Sequence, residues 1–169
     1  NNDFLHLCGV SLTGVVRRPD LGPYEFRTLR NVAVMGAYSM AEELGLPRPK
    51  NVTTIKPEGT ISKCYDTTEG AHKPLARYIF NNVIFVKHDP LVSVLRDCGY
   101  KVIPHPSGNG DWVVTLPVSW DDVDFDRAGG LEVNLESAID QLERYKLLMD
   151  NYVEQNCSIT VSYDPSEVD

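Results

Sequence analysis

The residues with the clearest chemical content run from position 53 to 62: Thr53, Thr54, Ile55, Lys56, Pro57, Glu58, Gly59, Thr60, Ile61 and Ser62. A short β-branched run enters a proline and then a turn of small residues. Gly59 removes the side chain that would keep a ligand away from the backbone. Thr60 and Ser62 bring hydroxyls, and successive amides in such a turn can converge into an anion-binding nest. Phosphate oxygens need several donors aimed at one point, and Lys56 and Lys63 flank the segment with positive charge. The candidate anion site is therefore Glu58, Gly59, Thr60, Ile61 and Ser62. It is not a Walker loop, because no Gly-Lys-Ser/Thr follows at the required spacing. By pattern alone, an ordinary strand-ending turn is the simpler account.

Other reactive residues give weaker patterns. Cys8, Cys64, Cys98 and Cys157 are far apart, and no CxxC pair occurs. His6 and Cys8 are close, but no second ligand pair completes a zinc site. These cysteines read as reduced, mostly buried thiols of a cytoplasmic protein. Cys64, two residues from Ser62, reads as a small buried residue, and His72 as a hydrogen-bonded structural histidine. Asp121, Asp122, Asp124 and Asp126 lack the glycine and terminal glutamate of an EF-hand, so they read as a solvated turn. Trp112 and Trp120 read as packing residues. No catalytic side chain and no metal ligand is assigned.

The elements that must position the loop follow from periodicity. Phe4 to Thr13 reads as a strand with a glycine inside it, and residues 17–23 as a turn. From Tyr24 to Leu44, apolar residues recur every three or four positions, which predicts a helix stopped by Gly45. Asn51 to Lys56 is a short strand. Arg77 to Lys87 is a longer one, followed by a helix with Asp89 as N-cap and Pro90 in its first turn. Strands are predicted at 101–103 and 112–118, a helix from Leu135 to Val153, and a closing strand from Cys157 to Tyr163. This alternation implies an α/β fold.

The net charge of −8, with dispersed basic residues, argues against a nucleic-acid partner. No apolar run reaches the ~18 residues of a membrane-spanning helix. The chain starts with Asn1 and reaches an apolar run at once, which reads as an internal segment of a longer protein.

Several stretches, in order, resemble the ribonucleotide reductases, in particular the monomeric, adenosylcobalamin-dependent ribonucleoside-triphosphate reductases. Thr53 to Thr60 is similar to their T-T-V-K-P-S-G-T. Glu69-Gly70-Ala71-His72 resembles E-G-x-H. Asp89-Pro90-Leu91 with Cys98-Gly99-Tyr100 resembles D-P-L…C-G-Y, and Cys157 to Thr160 resembles C-T-I-T. Gly9 to Gly14 is similar to G-I-S-M-S-G. The resemblance implies that residues 1–169 form a single segment of the ten-stranded α/β barrel of that family, in its second half, with a phosphate-binding loop near 57–62. It implies a role for Glu58, Gly59, Thr60, Ile61 and Ser62 in holding substrate phosphates. Glu58 replaces a serine there, so its amide is the expected donor and its carboxylate should turn away.

The parent activity so implied is conversion of ribonucleoside triphosphates to 2'-deoxyribonucleoside triphosphates by thiyl-radical chemistry. Its cofactor would be adenosylcobalamin, bound mostly outside this segment. A thioredoxin-type reductant and a deoxynucleotide effector would be its partners. The N-x-C-x-E pattern of the radical cysteine is absent, so the isolated segment is expected to be inactive. Two other readings stay open: a reductase of another radical class acting on diphosphates, and a non-catalytic nucleotide-phosphate-binding module. A piece of barrel is also expected to leave open strand edges and an apolar face.

Overall fold

A computed structural model describes residues 6–59 and 61–167. In chain order the elements are β1 (Val10–Ser11), a 3-10 turn (Val15–Arg17), α1 (Pro23–Glu43), β2 (Thr53–Thr54), α2 (Ile61–Cys64), β3 (Tyr78–Phe85), α3 (Leu91–Asp97), β4 (Lys101–Pro104), β5 (Trp112–Ser119), β6 (Asp126–Ala128), β7 (Leu131–Val133), α4 (Ala138–Asn151) and a terminal 3-10 turn (Pro165–Glu167). They fall into two compact units, Asn1–Pro74 with Asn134–Asp169, and Leu75–Val133.

In the first unit, α1 starts where Pro23 sets the first turn and the Glu25 carboxylate accepts the Gly22 N–H at 2.9 Å. These satisfy or remove the donors that a helix start leaves orphaned. Of its predicted apolar stripe, Phe26 and Ala41 are buried, whereas Leu29 and Leu44 are exposed. Helix α4 starts at Ser137, whose hydroxyl accepts the Asp140 N–H at 3.1 Å. Arg27 donates to Asn151 at 2.8 Å and Arg30 pairs with Glu154 at 3.0 Å, tying α1 to the end of α4. Between them lies a core of Phe26, Ile55, Ala71, Leu148, Tyr152, Val153 and Cys157. Burying side chains of this size contributes about 1.5–3 kcal/mol each for the larger ones.

Strands β1 and β2 pair in parallel, with Val10 opposite Thr53 and Ser11 opposite Thr54. Ile55 extends this through a parallel bridge to Cys157. Both predicted outer strands are therefore shorter than expected. Phe4 and Leu5 lie outside the described residues, and the run after Cys157 makes no further ladder with any described residue. A β-branched run favours extended backbone, but a strand also needs a hydrogen-bonding neighbour. Here the polar side chain of Gln141 holds the tail instead, donating to the Ser162 carbonyl at 2.7 Å and accepting its N–H at 2.9 Å.

In the second unit, β5 is the central strand of an antiparallel sheet ordered β3-β5-β4. Tyr78 faces Ser119 and Phe85 faces Trp112, while Val102 faces Val114. One face packs with Val92 of α3, and Val114 is fully buried. Side chains alternate across a strand, so Tyr78, Phe80 and Ile84 share the other face, where all three are exposed. Asp89 caps α3 from one residue further out than predicted, its carboxylate accepting the Leu91 N–H at 2.9 Å. The hairpin β6-β7 was not anticipated; it turns through Gly129 and Gly130, both at positive φ. Arg77 organises the base of this unit, donating to Glu132 at 2.8 Å and to the Trp120 carbonyl at 2.9 Å.

Candidate phosphate-binding loop

Strand β2 delivers the loop, and it is anchored by the segment that follows α4. Thr53 is fully buried; its hydroxyl donates to the Tyr152 carbonyl, and its own carbonyl accepts the N–H groups of Glu154 and Gln155 at 3.1 and 3.2 Å. The Glu154 carboxylate accepts the Val52 N–H at 2.9 Å. Burial alone would raise the pKa of Glu154, but the hydrogen bonds from Val52, Arg30 and Thr53 outweigh it and hold the carboxyl below its ordinary value. Thr54 donates to the Asn156 carbonyl at 2.7 Å.

The loop's entry and return are held by β1 and the residues after it. The Ser11 hydroxyl accepts the Lys56 N–H at 3.0 Å. The Thr13 hydroxyl donates to the Thr68 carbonyl at 2.9 Å and accepts the Gly70 N–H at 3.0 Å. Gly14 and Val15 donate to the carbonyls of Thr68 and Gly70 at 3.0 and 3.1 Å. This approach leaves no room for side chains. A Cβ on Gly70, which has φ +47°, would lie 2.5 Å from the Lys56 carbonyl oxygen, and one on Gly14, at φ +73°, would lie 2.3 Å from the Thr67 hydroxyl.

Within the loop, Glu58 adopts φ +55°. The left-handed region costs a residue with a Cβ about 1–2 kcal/mol, and such strain gathers at functional sites. The N–H groups of Glu58, Gly59 and Ile61 donate to no described residue. Gly59 and Ile61 are exposed and Glu58 is half-buried. Thr60 lies outside the described residues. Ser62 is placed differently: its N–H donates to the Glu58 carbonyl at 3.0 Å, its carbonyl accepts the Thr67 N–H at 2.9 Å, and its hydroxyl is fully buried without a partner. Lys63 pairs with Glu69 at 2.6 Å, and the Glu69 carboxylate lies 3.7 Å from where a Cβ on Gly59 would be. The loop thus offers unpaired amides on its outer side and an ion pair beside them.

No protein-family model matches the chain. It is 32% identical over 136 residues to the adenosylcobalamin-dependent ribonucleoside-triphosphate reductase of Lacticaseibacillus paracasei, covering 79% of this chain and 17% of that protein. It is 33% identical over 135 residues to the protein of the same name from Lactobacillus acidophilus, covering 78% and 17%. A probable reductase of this kind from Dictyostelium discoideum is 29% identical, covering 74% and 16%. The crystal structure of a B12-dependent (class II) ribonucleotide reductase superposes with a TM-score of 0.65 at 24% identity, covering 86% of this chain and 20% of that one. The chain is homologous to one segment of these reductases. It spans about a sixth of the curated relatives' length, and its fold is that of a part of the class II α/β barrel.

Within this segment the cysteines separate by burial. Cys157 is buried, and burial pushes its thiol up to about 11. Cys64 and Cys98 are exposed, contrary to the expectation of buried thiols. Cys64 sits on the outer side of the single turn α2, whose inner side is taken by Ser62. His72 is hydrogen-bonded at both nitrogens, with Nδ1 3.2 Å from the Glu69 carbonyl and Nε2 accepting the Thr160 N–H at 2.7 Å. That arrangement fits the structural role expected for it. Among the described residues, no group of three or more His, Cys, Asp or Glu is placed to hold a metal ion. Ser11, Thr13 and Glu154 were not singled out from the sequence. The spacing of Ser11 and Thr13, two apart in a strand-like run and so on one face, was the available signal for the first two.

Proposed function

We propose that this chain is the part of an adenosylcobalamin-dependent ribonucleoside-triphosphate reductase that holds the substrate's phosphates. The observation that carries the reading is the run of unpaired N–H groups at Glu58, Gly59 and Ile61 in a loop pinned at both ends. Such a run suits an anion, because these donors have no partner among the described residues and successive amides can converge on one ligand. Ser62 contributes by closing the turn onto Glu58 rather than by facing the ligand. The Glu58 side chain turns away from the phosphates, and beside Gly59 the Lys63 ammonium is balanced by Glu69, which leaves the backbone amides as the main donors. Anchoring the phosphate end places the ribose for chemistry performed by other parts of the protein.

In that protein adenosylcobalamin would supply the radical. Most of its site would lie outside this segment. A thioredoxin-type reductant and a deoxynucleotide effector would likewise act elsewhere. A cytoplasmic setting accords with this chemistry; no helix among the described residues is long and apolar enough to cross a membrane.

The test is an amide NMR titration with a ribonucleoside triphosphate, its diphosphate and the free nucleoside. The expected result is saturable shifts at Gly59 and Ile61, largest for the triphosphate and absent for the nucleoside. Shifts that bypass these amides at saturation would sink the reading. In the whole reductase, Gly59→Val should raise KM about tenfold with a smaller change in kcat.

A further inference from the structure

The second unit contains a cleft of about 370 Å³ where the ends of β3 and β4 meet the turn into β5. It is lined by Lys87, His88, His105, Asp111 and Trp112 among others. Its volume lies at the lower end of the range for small-molecule sites, roughly 300–1,000 Å³.

The turn that shapes the cleft is ordered by its own hydrogen bonds. The Asp111 carboxylate accepts the Lys87 N–H at 3.1 Å and the Asn109 side-chain amide at 2.6 Å. The His105 N–H donates to the Asp111 carbonyl at 2.8 Å. The Ser107 N–H donates to His105 Nδ1 at 3.2 Å, which places the His105 ring proton on Nε2. Gly110 has no side chain, and the Lys87 stem lies over it; a Cβ there would be 2.8 Å from Lys87 Cδ. The lysine stem is thus seated while its ammonium is not consumed.

What remains unused is able to donate: the Lys87 ammonium and two imidazole rings, of which His105 presents its Nε2 proton. Lys87 Nζ, the His88 ring and His105 Nε2 have no hydrogen-bond or ion-pair partner among the described residues. The single carboxylate in the lining is occupied by the turn itself. The Arg96 guanidinium lies over the Trp112 ring, 4.8 Å from its centroid, and adds a further positive charge. This concentration of donors occurs in a chain whose net charge is −8. Beside the donors, Trp112 contributes the aromatic part of the lining, with Arg96 over its ring.

We propose that this cleft is a second anion site, one that takes a phosphomonoester carried on a flat apolar body, of nucleoside-monophosphate size. Lys87, His88 and His105 bind the phosphate, and Trp112 packs against the body. The site lies in the other unit from the Glu58–Ser62 loop and does not depend on the role given to that loop.

The experiment is an NMR titration of the chain with adenosine monophosphate, following the Trp112 indole N–H and the His88 and His105 ring protons. Saturable shifts at all three are expected. Adenosine alone and inorganic phosphate alone should each bind at least about tenfold more weakly, as should the His105→Ala and Lys87→Ala variants. Gly59→Val should leave this titration unchanged, which separates the cleft from the loop. Absence of shifts at these rings up to about 10 mM ligand, a range that covers weak sites, overturns the proposal. So does binding of adenosine as tight as that of its monophosphate. The ring shifts are read on the unaltered chain, so a variant that fails to fold does not remove the test.

Discussion

Around the loop that follows β2, polar groups of distant segments satisfy one another; in the three-stranded sheet, β3 and β4 pair with β5 in regular antiparallel register and one apolar face is left open. Ser11 reaches Lys56 across 45 positions, Glu154 reaches Val52 across 102, and Tyr152 reaches the Val10 carbonyl across 142. In the sheet, β4 and β5 are joined by a short turn, and Tyr78, Phe80 and Ile84 face outward. The first region is specified by long-range hydrogen bonds, several of them to buried or part-buried groups, where an unmet partner is costly. The second is specified by register, and its outer face can change without disturbing the ladder.

That contrast can be broken or sharpened by mutation. The largest effect is expected at Leu148, fully buried in the first unit's core. Leu148→Ala should cost about 2–5 kcal/mol in urea unfolding. Next comes a pair of glycines with similar backbone angles. Gly70→Ala meets the Lys56 carbonyl oxygen and should cost about 2–4 kcal/mol. Gly108→Ala at φ +72° meets nothing within 4 Å and should cost about 1–2 kcal/mol. Equal losses at both sites would mean that the close approach at Gly70 contributes nothing.

Glu154→Gln should cost about 1–2 kcal/mol at neutral pH. The folded-state carboxyl titrates below its ordinary value of 4.5. Its stabilisation is therefore complete above 4.5 and is lost as pH falls through the lower, folded value. The unaltered chain should lose stability on that acid limb, and the variant should lose less; parallel acid limbs would remove Glu154 from the account. The smallest stability change is expected for Phe80→Ser on the open sheet face, within about 0.5 kcal/mol. Its readout is association: sedimentation should show less self-association than in the parent chain.

Much of this was legible in the residues. Helix α1 and its stop at Gly45, the loop after β2, and β3 and β5 lie within a residue or two of where periodicity places them. The limits of the sequence are equally specific. Extended preference in Cys157 to Tyr163 did not reveal that only Cys157 has a ladder neighbour. Adjacent glycines at 129 and 130 carry a known hairpin preference, and the hairpin was still missed because its strands are three residues long. In the loop, hydroxyls alone could not distinguish Ser62, turned inward, from its neighbours with unpaired amides. Burial of a side chain depends on the element opposite, which is also why Cys64 was misjudged.

The parallel run formed by β1, β2 and Cys157 has a consequence for synthesis. Its three segments leave the ribosome far apart in time, at about 5–20 residues per second. When Gly59 emerges, the groups that secure β2 from below, Tyr152 to Cys157, are still some 95 residues away, a closure of the slow, high-contact-order kind. The β4–β5 hairpin and the β3–β5 ladder can form during that interval. The loop proposed to hold phosphate thus lacks its anchors until Tyr152 to Cys157 have emerged, and until then its amides are open to water.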